Sequence, residues 1–161
     1  MASRTRSFGR LLPWLGALLL VAACQANDPA EATPRDSAGL LEELGRHGVT
    51  AVEQRAGDPG CADASLEPNA IHWQLVIGDD PTPRDVYLFR FKDRATFDAG
   101  AAAVDACREA FAGRTDRAGG TVQHLEISPW RAFGDGWSTG LTDALQASLI
   151  LAAGNGGDPS P

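Results

Sequence analysis

Two short runs with a strict period of two constrain the fold of this chain more than any other feature. Apolar residues occupy every second position from Ile71 to Ile77, and a second alternating run extends from Val86 to Phe91. The segment between them, 78–83, is polar and contains two prolines. Successive side chains of a strand point to opposite faces, so each run is typical of a β-strand. The short connecting loop favours an antiparallel pair.

After the second run the period changes, which indicates a helix. Asp93 can cap a helix that extends to about Ala112. Residues of this segment at spacings of three and four share one face: Phe97, Gly100, Val104, Cys107 and Phe111. A first helix is predicted over 37–46, with Asp36 or Ser37 as its cap, where Leu40, Leu41 and Leu44 share a face.

The remaining segments complete the predicted order α-β-β-β-α-β-β-α. Strands are expected at 49–55 and 121–128, and the segment 130–141 is predicted to be one bent strand or hairpin arm. A last helix should be capped by Thr142 or Asp143 and be followed by Gly154 as its C′ residue. Because the strands cluster in the sequence, we predict an α+β fold. It would be a mainly antiparallel sheet of four to five strands with helices packed on one face, loosely ferredoxin-like.

The first 23 residues are typical of an export signal. Arg4, Arg6 and Arg10 precede an apolar run from Leu11 to Ala23, which is 13 residues long. At about 1.5 Å per residue such a helix reaches roughly 20 Å, less than the ~30 Å core of a bilayer. A positive leader, a short apolar core and small residues at its end predict a secretory signal peptide over 1–23. The alternative is a permanent membrane helix.

The end of this segment resembles the lipobox of bacterial lipoproteins, Val21-Ala22-Ala23-Cys24. The resemblance implies that the Cys24 thiol carries a diacylglycerol, that cleavage precedes it, and that acyl chains of the palmitate type anchor the new N-terminus. Gln25 rather than Asp follows, which in that family implies the outer membrane if the cell has two. The alternative is ordinary cleavage after Ala26, with Cys24 discarded. The rest of the chain resembles small, uncharacterised bacterial lipoproteins with one α+β domain.

Composition divides the remaining chain and limits its partners. We expect a flexible linker at 24–36, a single domain at 37–154 and a disordered tail at 155–161. Three of the 14 basic residues and none of the 21 acidic ones lie in 1–23, so the rest has a net charge near −10. Nucleic acids require a basic face, so they are excluded as partners. We expect attachment to a membrane through the lipid alone, and no cofactor or metal.

Cys61 and Cys107 are the thiols that remain once Cys24 is acylated. An even pair in an oxidising compartment predicts a disulfide. Their separation of 46 residues corresponds to about 4 kcal/mol of loop-closure stabilisation. The alternative is two unpaired core residues. A metal site is not favoured, because neither cysteine has a Cys or His at ligand spacing.

Catalytic motifs are incomplete. Gly136-Trp-Ser-Thr-Gly140 matches the nucleophile-elbow pattern of hydrolases at Ser138, but no histidine follows it. His47, His72 and His124 all precede it and are isolated from one another. His72 alternates with core residues, so we expect it on the exposed or partner-facing side of its strand. A metal or acid–base role for these histidines is the less favoured interpretation.

The segment 130–137 is the candidate binding surface. Trp130, Arg131, Phe133 and Trp137 lie within eight residues, and Trp and Arg are common binding hot spots. The alternative is that most of them belong to the core. We therefore predict a non-enzymatic, membrane-tethered binding or envelope-accessory domain, without catalytic residues, whose partner is an envelope protein or a small ligand. The alternative function is a small extracytoplasmic hydrolase that uses Ser138.

Overall fold

A computed structural model describes residues 36–78, 80–114 and 121–154. It contains four α-helices, five strands and a short 3₁₀ turn at Glu67–Asn69. In chain order the helices and strands are α1 (Ser37–Arg46), β1 (Val49–Ala56), β2 (Ala70–Ile77), β3 (Asp80–Arg90), α2 (Arg94–Ala99), α3 (Ala101–Arg114), β4 (Val122–Ile127), β5 (Trp130–Asp135) and α4 (Thr139–Ala153).

The strands form one antiparallel sheet in the order β1-β2-β3-β5-β4. Strands β1, β2 and β3 are consecutive neighbours, whereas β5 is inserted between β3 and β4. The predicted α+β fold with a five-stranded antiparallel sheet is confirmed. The ferredoxin-like character is limited to the unit β3-α2-α3-β4, in which two parallel strands flank an inserted one.

One face of the sheet packs against α1 and α4. Leu40 and Leu44 of α1 and Leu145 of α4 meet Trp73 and Leu88 of the sheet, and all five are buried. Alternation along the strands explains this cluster, because Trp73 and Leu75 point to the same side of β2. Asp36 caps α1 by accepting a hydrogen bond from the Gly39 backbone nitrogen at 2.9 Å, as predicted.

The opposite face carries a second, aromatic core. Phe89 and Phe133 project from the sheet to this side and pack with Phe97 of α2 and Phe111 of α3. The expectation that the helices pack on one face is therefore wrong. β3 and β5 each carry buried apolar side chains on both sides, and a strand that presents apolar side chains to both faces needs a covering layer on each.

The single helix predicted from Asp93 to Ala112 is two helices. Asp93 caps α2 as expected, but the helix ends at Gly100, and α3 follows directly. The Phe91 ring lies where a Cβ of residue 100 would be, so only glycine admits this contact. The expected face from Phe97 to Phe111 is retained across the break, since both residues belong to the aromatic core.

The C-terminal helix begins earlier than predicted. β5 ends at Asp135, and α4 begins at Thr139, so its cap is Ser138 instead of Thr142 or Asp143. Gly154, with a φ of 77°, ends it as expected. Within the described ranges no helix is both long enough and apolar enough to span a bilayer.

Candidate functional site

Several predicted features lie outside the described residues. They are the signal segment 1–23, the lipid-attachment residue Cys24, nearly all of the linker 24–36, and the tail 155–161. The structure therefore bears on the domain that follows the linker.

The side chains of the candidate binding surface at 130–137 are buried in the structure, which agrees with the core alternative. Trp130 and Phe133 are fully buried, and Arg131 and Trp137 are only 4% and 5% exposed. The physical reason is that β5 is an internal strand with a core on each face. Trp130 belongs to one core and Phe133 to the other. Arg131 satisfies its charge internally: it pairs with Glu126 at 2.7 Å, and its guanidinium lies 4.0 Å from the centre of the Phe97 ring.

Ser138 serves as a helix cap. Its Oγ accepts a hydrogen bond from the Leu141 backbone nitrogen at 3.2 Å, and its φ of −68° is relaxed. In the described part of the chain, none of the three histidines hydrogen-bonds to it. His72 projects from the other face of the sheet, since its strand neighbours Ile71 and Trp73 contact the α4 core. The glycines of Gly136-Trp-Ser-Thr-Gly140 therefore flank the start of α4.

Cys61 and Cys107 form a disulfide, as predicted. Their Cα atoms are 4.9 Å apart. Cys107 is buried in the aromatic core on α3, while Cys61 lies in the loop between β1 and β2. The bond therefore ties that loop to the helix layer.

The three histidines are separate in space as well as in sequence. His47 follows α1 and His124 lies on the edge strand β4, and both are exposed. His72 lies on the face expected for it, but its side chain is only 12% exposed. Among residues 36–78, 80–114 and 121–154, no group of three His, Cys, Asp or Glu side chains could hold a metal ion.

The position of His72 is set by strand register. Arg55 of β1 is its partner on one side, and Tyr87 of β3 is its partner on the other. Paired residues of neighbouring strands point to the same face, so the three side chains form a row across the sheet. The imidazole stacks on the Tyr87 ring, with centroids 4.5 Å apart and an interplanar angle of 11°.

An Asp85 carboxylate orients this imidazole. The Nε2 of His72 lies 2.8 Å from Oδ1 of Asp85, and Nε2 of Gln74 donates to the same oxygen at 3.2 Å. The Asp85 backbone is also fixed, because Trp137 Nε1 donates a hydrogen bond to the Asp85 carbonyl at 3.0 Å. A Cβ at Gly134 would overlap both that carbonyl and the Trp137 ring, so glycine is required for this contact.

These residues line an open groove of about 400 Å³. Its floor consists of sheet residues, and its wall is the turn that follows β1. The lining comprises Arg55, Ala56, Gly57, Asp58, His72, Gln74, Asp85 and Tyr87. Asp58 shapes the wall, because its Oδ1 accepts hydrogen bonds from the backbone nitrogens of Gly60 and Cys61 at 2.6 and 2.8 Å. Through Cys61 the disulfide holds this wall in place.

The burial and the charges of the groove change the pKa of the Tyr87 hydroxyl. Burial raises the pKa of its hydroxyl above the ordinary value, and the negative charge of Asp85 raises it further. Arg55 and Arg114 act on the Tyr87 pKa in the opposite direction. The phenol therefore stays protonated at neutral pH and can both donate and accept a hydrogen bond.

Sequence reasoning missed Arg55, Gln74, Asp85 and Tyr87 as site residues. A signal was present in the two alternating runs, since His72 and Gln74 share one face of β2, and Asp85 and Tyr87 share one face of β3. Strand register places these two polar pairs side by side, and the sequence alone does not give the register.

No protein family, no curated protein and no solved structure matches this chain.

Proposed function

We propose that this chain is an exported bacterial lipoprotein, tethered to the cell envelope through Cys24, that binds a small polar ligand in the groove beside His72. The lipobox-like segment Val21-Ala22-Ala23-Cys24 and the basic leader before it support the proposed localisation, which is called the address below. Two or more acyl chains make membrane attachment lasting, whereas one does not. The disulfide is consistent with an oxidising compartment outside the cytoplasm.

The groove carries the binding part of the proposal. Its volume of about 400 Å³ lies within the range of small-molecule sites. Polar groups converge on it from β1, β2 and β3, and they are held by hydrogen bonds and by the disulfide-tied wall. A pre-organised site loses little freedom when a ligand binds, which favours affinity.

The address is tested by membrane fractionation. We expect the native chain in the membrane fraction. Cys24→Ser should either appear in the soluble fraction or retain its signal segment uncleaved. Cys61→Ala/Cys107→Ala is the control, since it removes the two disulfide-bonded cysteines and leaves the anchor residue unchanged. Globomycin, which blocks lipoprotein signal cleavage, should cause an uncleaved form to accumulate. A Cys24→Ser protein that is processed and membrane-bound like the native chain would exclude the lipid anchor.

The binding part is tested separately, with the small-molecule fraction of a cell extract. Amide resonances of Gly57, His72 and Tyr87 should shift on addition, because these residues line the groove. Those of the exposed helix residues Gln146 and Asp143 should not. An extract that shifts neither set, or both equally, would argue against a ligand in the groove.

A further inference from the structure

The internal hydrogen bonds of the groove determine which polar ends face a ligand. An ionised carboxylate can only accept, so both His72 Nε2 and Gln74 Nε2 must donate to Asp85. A neutral imidazole that donates from Nε2 has a lone pair on Nδ1, which accepts. Likewise, an amide that uses its NH₂ group internally presents its carbonyl oxygen. With the imidazole in that neutral form, the outward ends of both side chains are acceptors.

The two carboxylates of the groove add to this pattern. Asp85 and Asp58 each use Oδ1 internally, and within the described ranges no hydrogen bond engages either Oδ2. Arg55 is the cation of the lining, but its guanidinium pairs with Glu53 at 2.9 Å. With that pair neutral, Asp58 and Asp85 leave the lining residues with a net negative charge; Arg114 acts on Tyr87 from outside the lining.

We propose that the groove binds a small organic cation whose head group is a primary ammonium or a guanidinium. Such a group brings several N–H donors and a positive charge to a surface of acceptors with negative charge. The free oxygens of Asp85 and Asp58 and the Gln74 carbonyl oxygen receive these donors, together with Nδ1 of His72 when the imidazole is in its neutral form. The inference rests on the proposed binding function and specifies its ligand class.

Other ligand classes fit less well. An anion would lie against two carboxylates and would have to displace Glu53 from Arg55. An apolar ligand finds no apolar wall, since the Tyr87 ring is covered by His72 on one side and contacts Phe111 and Phe133 elsewhere. A neutral alcohol can donate one hydrogen bond but lacks the charge.

Four probes of equal chain length separate these classes: n-butylammonium, butyltrimethylammonium, n-butanol and butyrate. Each is titrated at neutral pH into the intact protein in a non-ionic detergent, and amide shifts at Gly57, His72 and Tyr87 are followed by NMR. We expect saturable binding of butylammonium. Loss of one charge-assisted hydrogen bond corresponds to about tenfold in affinity, so butyltrimethylammonium should bind at least that much more weakly. Butanol and butyrate should bind more weakly still.

Two isosteric variants locate the binding. Asp85→Asn and Asp58→Asn each remove a charge but keep an oxygen that can accept the internal hydrogen bonds, and each should weaken butylammonium binding about tenfold. Asp143→Asn on the exposed surface of α4 removes the same charge elsewhere and should change affinity less than twofold. Thermal melting identifies a variant that fails to fold. If Asp85→Asn or Asp58→Asn fails to fold, the affinity of the remaining variant tests the location of the site.

Several results would overturn the ligand class. They are equal or tighter binding of butyltrimethylammonium, butanol or butyrate, absence of saturable shifts with butylammonium, and Asp85→Asn and Asp58→Asn variants that both bind like Asp143→Asn. If butyrate or butanol binds in the groove, the cation inference fails while the proposed binding function stands. If Cys24→Ser remains processed and membrane-bound, the address fails while the ligand class stands.

Discussion

Removal of the Cys61–Cys107 disulfide tests how the two halves of the domain are held together. The bond links the loop after β1 to α3 across 46 residues, and this interval includes β2, β3 and α2. In the chain-entropy model, a loop of this length stabilises the folded state by about 4 kcal/mol. Alanine is the suitable replacement, because Cys107 is only 2% exposed and a serine there would bury a hydroxyl.

We expect Cys61→Ala/Cys107→Ala to lower the free energy of unfolding by about 4 kcal/mol. With a urea dependence of about 2 kcal/mol per molar, the unfolding midpoint should fall by roughly 2 M. Urea denaturation followed by tryptophan fluorescence measures this, since Trp73 and Trp130 are fully buried. The single variant Cys61→Ala, and the native protein under reductant, should both approach the double variant. Equal midpoints for reduced and oxidised native protein would refute the loop-closure argument.

Three further predictions concern single residues. Ser138→Ala removes the α4 cap and should lower the free energy of unfolding in urea by about 1 kcal/mol. Ser138→Asp should retain most of the stability that the cap provides. Labelling of Ser138 by a fluorophosphonate would instead support the hydrolase alternative. Gly134→Ala should cost about 2–3 kcal/mol by overpacking against the Asp85 carbonyl and Trp137, while Gly113→Ala, with open space around it, should not destabilise; equal effects would contradict this packing. Tyr87 is the chain's single tyrosine, so its absorbance near 295 nm should titrate alone with a midpoint above the ordinary value near 10.

The sign of the Tyr87 effect follows from linkage. Its folded pKa is raised, so the unfolded chain releases this proton first as the pH increases. The stability contribution is complete below pH ~10 and is lost as the pH rises through the folded pKa. Asp85→Asn leaves burial, the largest cause, in place, so it should lower the Tyr87 midpoint without returning it fully to the ordinary value.

Much of the secondary structure followed from local pattern. The helix 37–46 and its Asp36 cap, the strands that became β2 and β3, and the end of α4 at Gly154 all depend on neighbours a few residues apart. Periodicity reports such relations directly. The break at Gly100 did not follow, because glycine there is required by the Phe91 ring, which approaches from the segment after β3 and not from within the helix.

The candidate site was much less predictable. The hot-spot preference of Trp and Arg favours a binding surface at 130–137, but the insertion of β5 between β3 and β4 gives these side chains a core on each face of the sheet. The residue pattern of a single strand does not determine which strands are its neighbours in the sheet. The same limit concealed the groove, whose members are adjacent only through the pairing of β1, β2 and β3.

The sequence by itself thus determined the alternation of strands and helices, the α+β class and the pairing of Cys61 with Cys107, because these depend on short-range periodicity and on the number of cysteines. The tertiary structure alone decided which faces are covered and where polar side chains meet. Arg55, His72 and Asp85 are separated along the chain, and strand register brings them to one groove. Register depends on long-range packing and hydrogen bonding, which no local segment encodes.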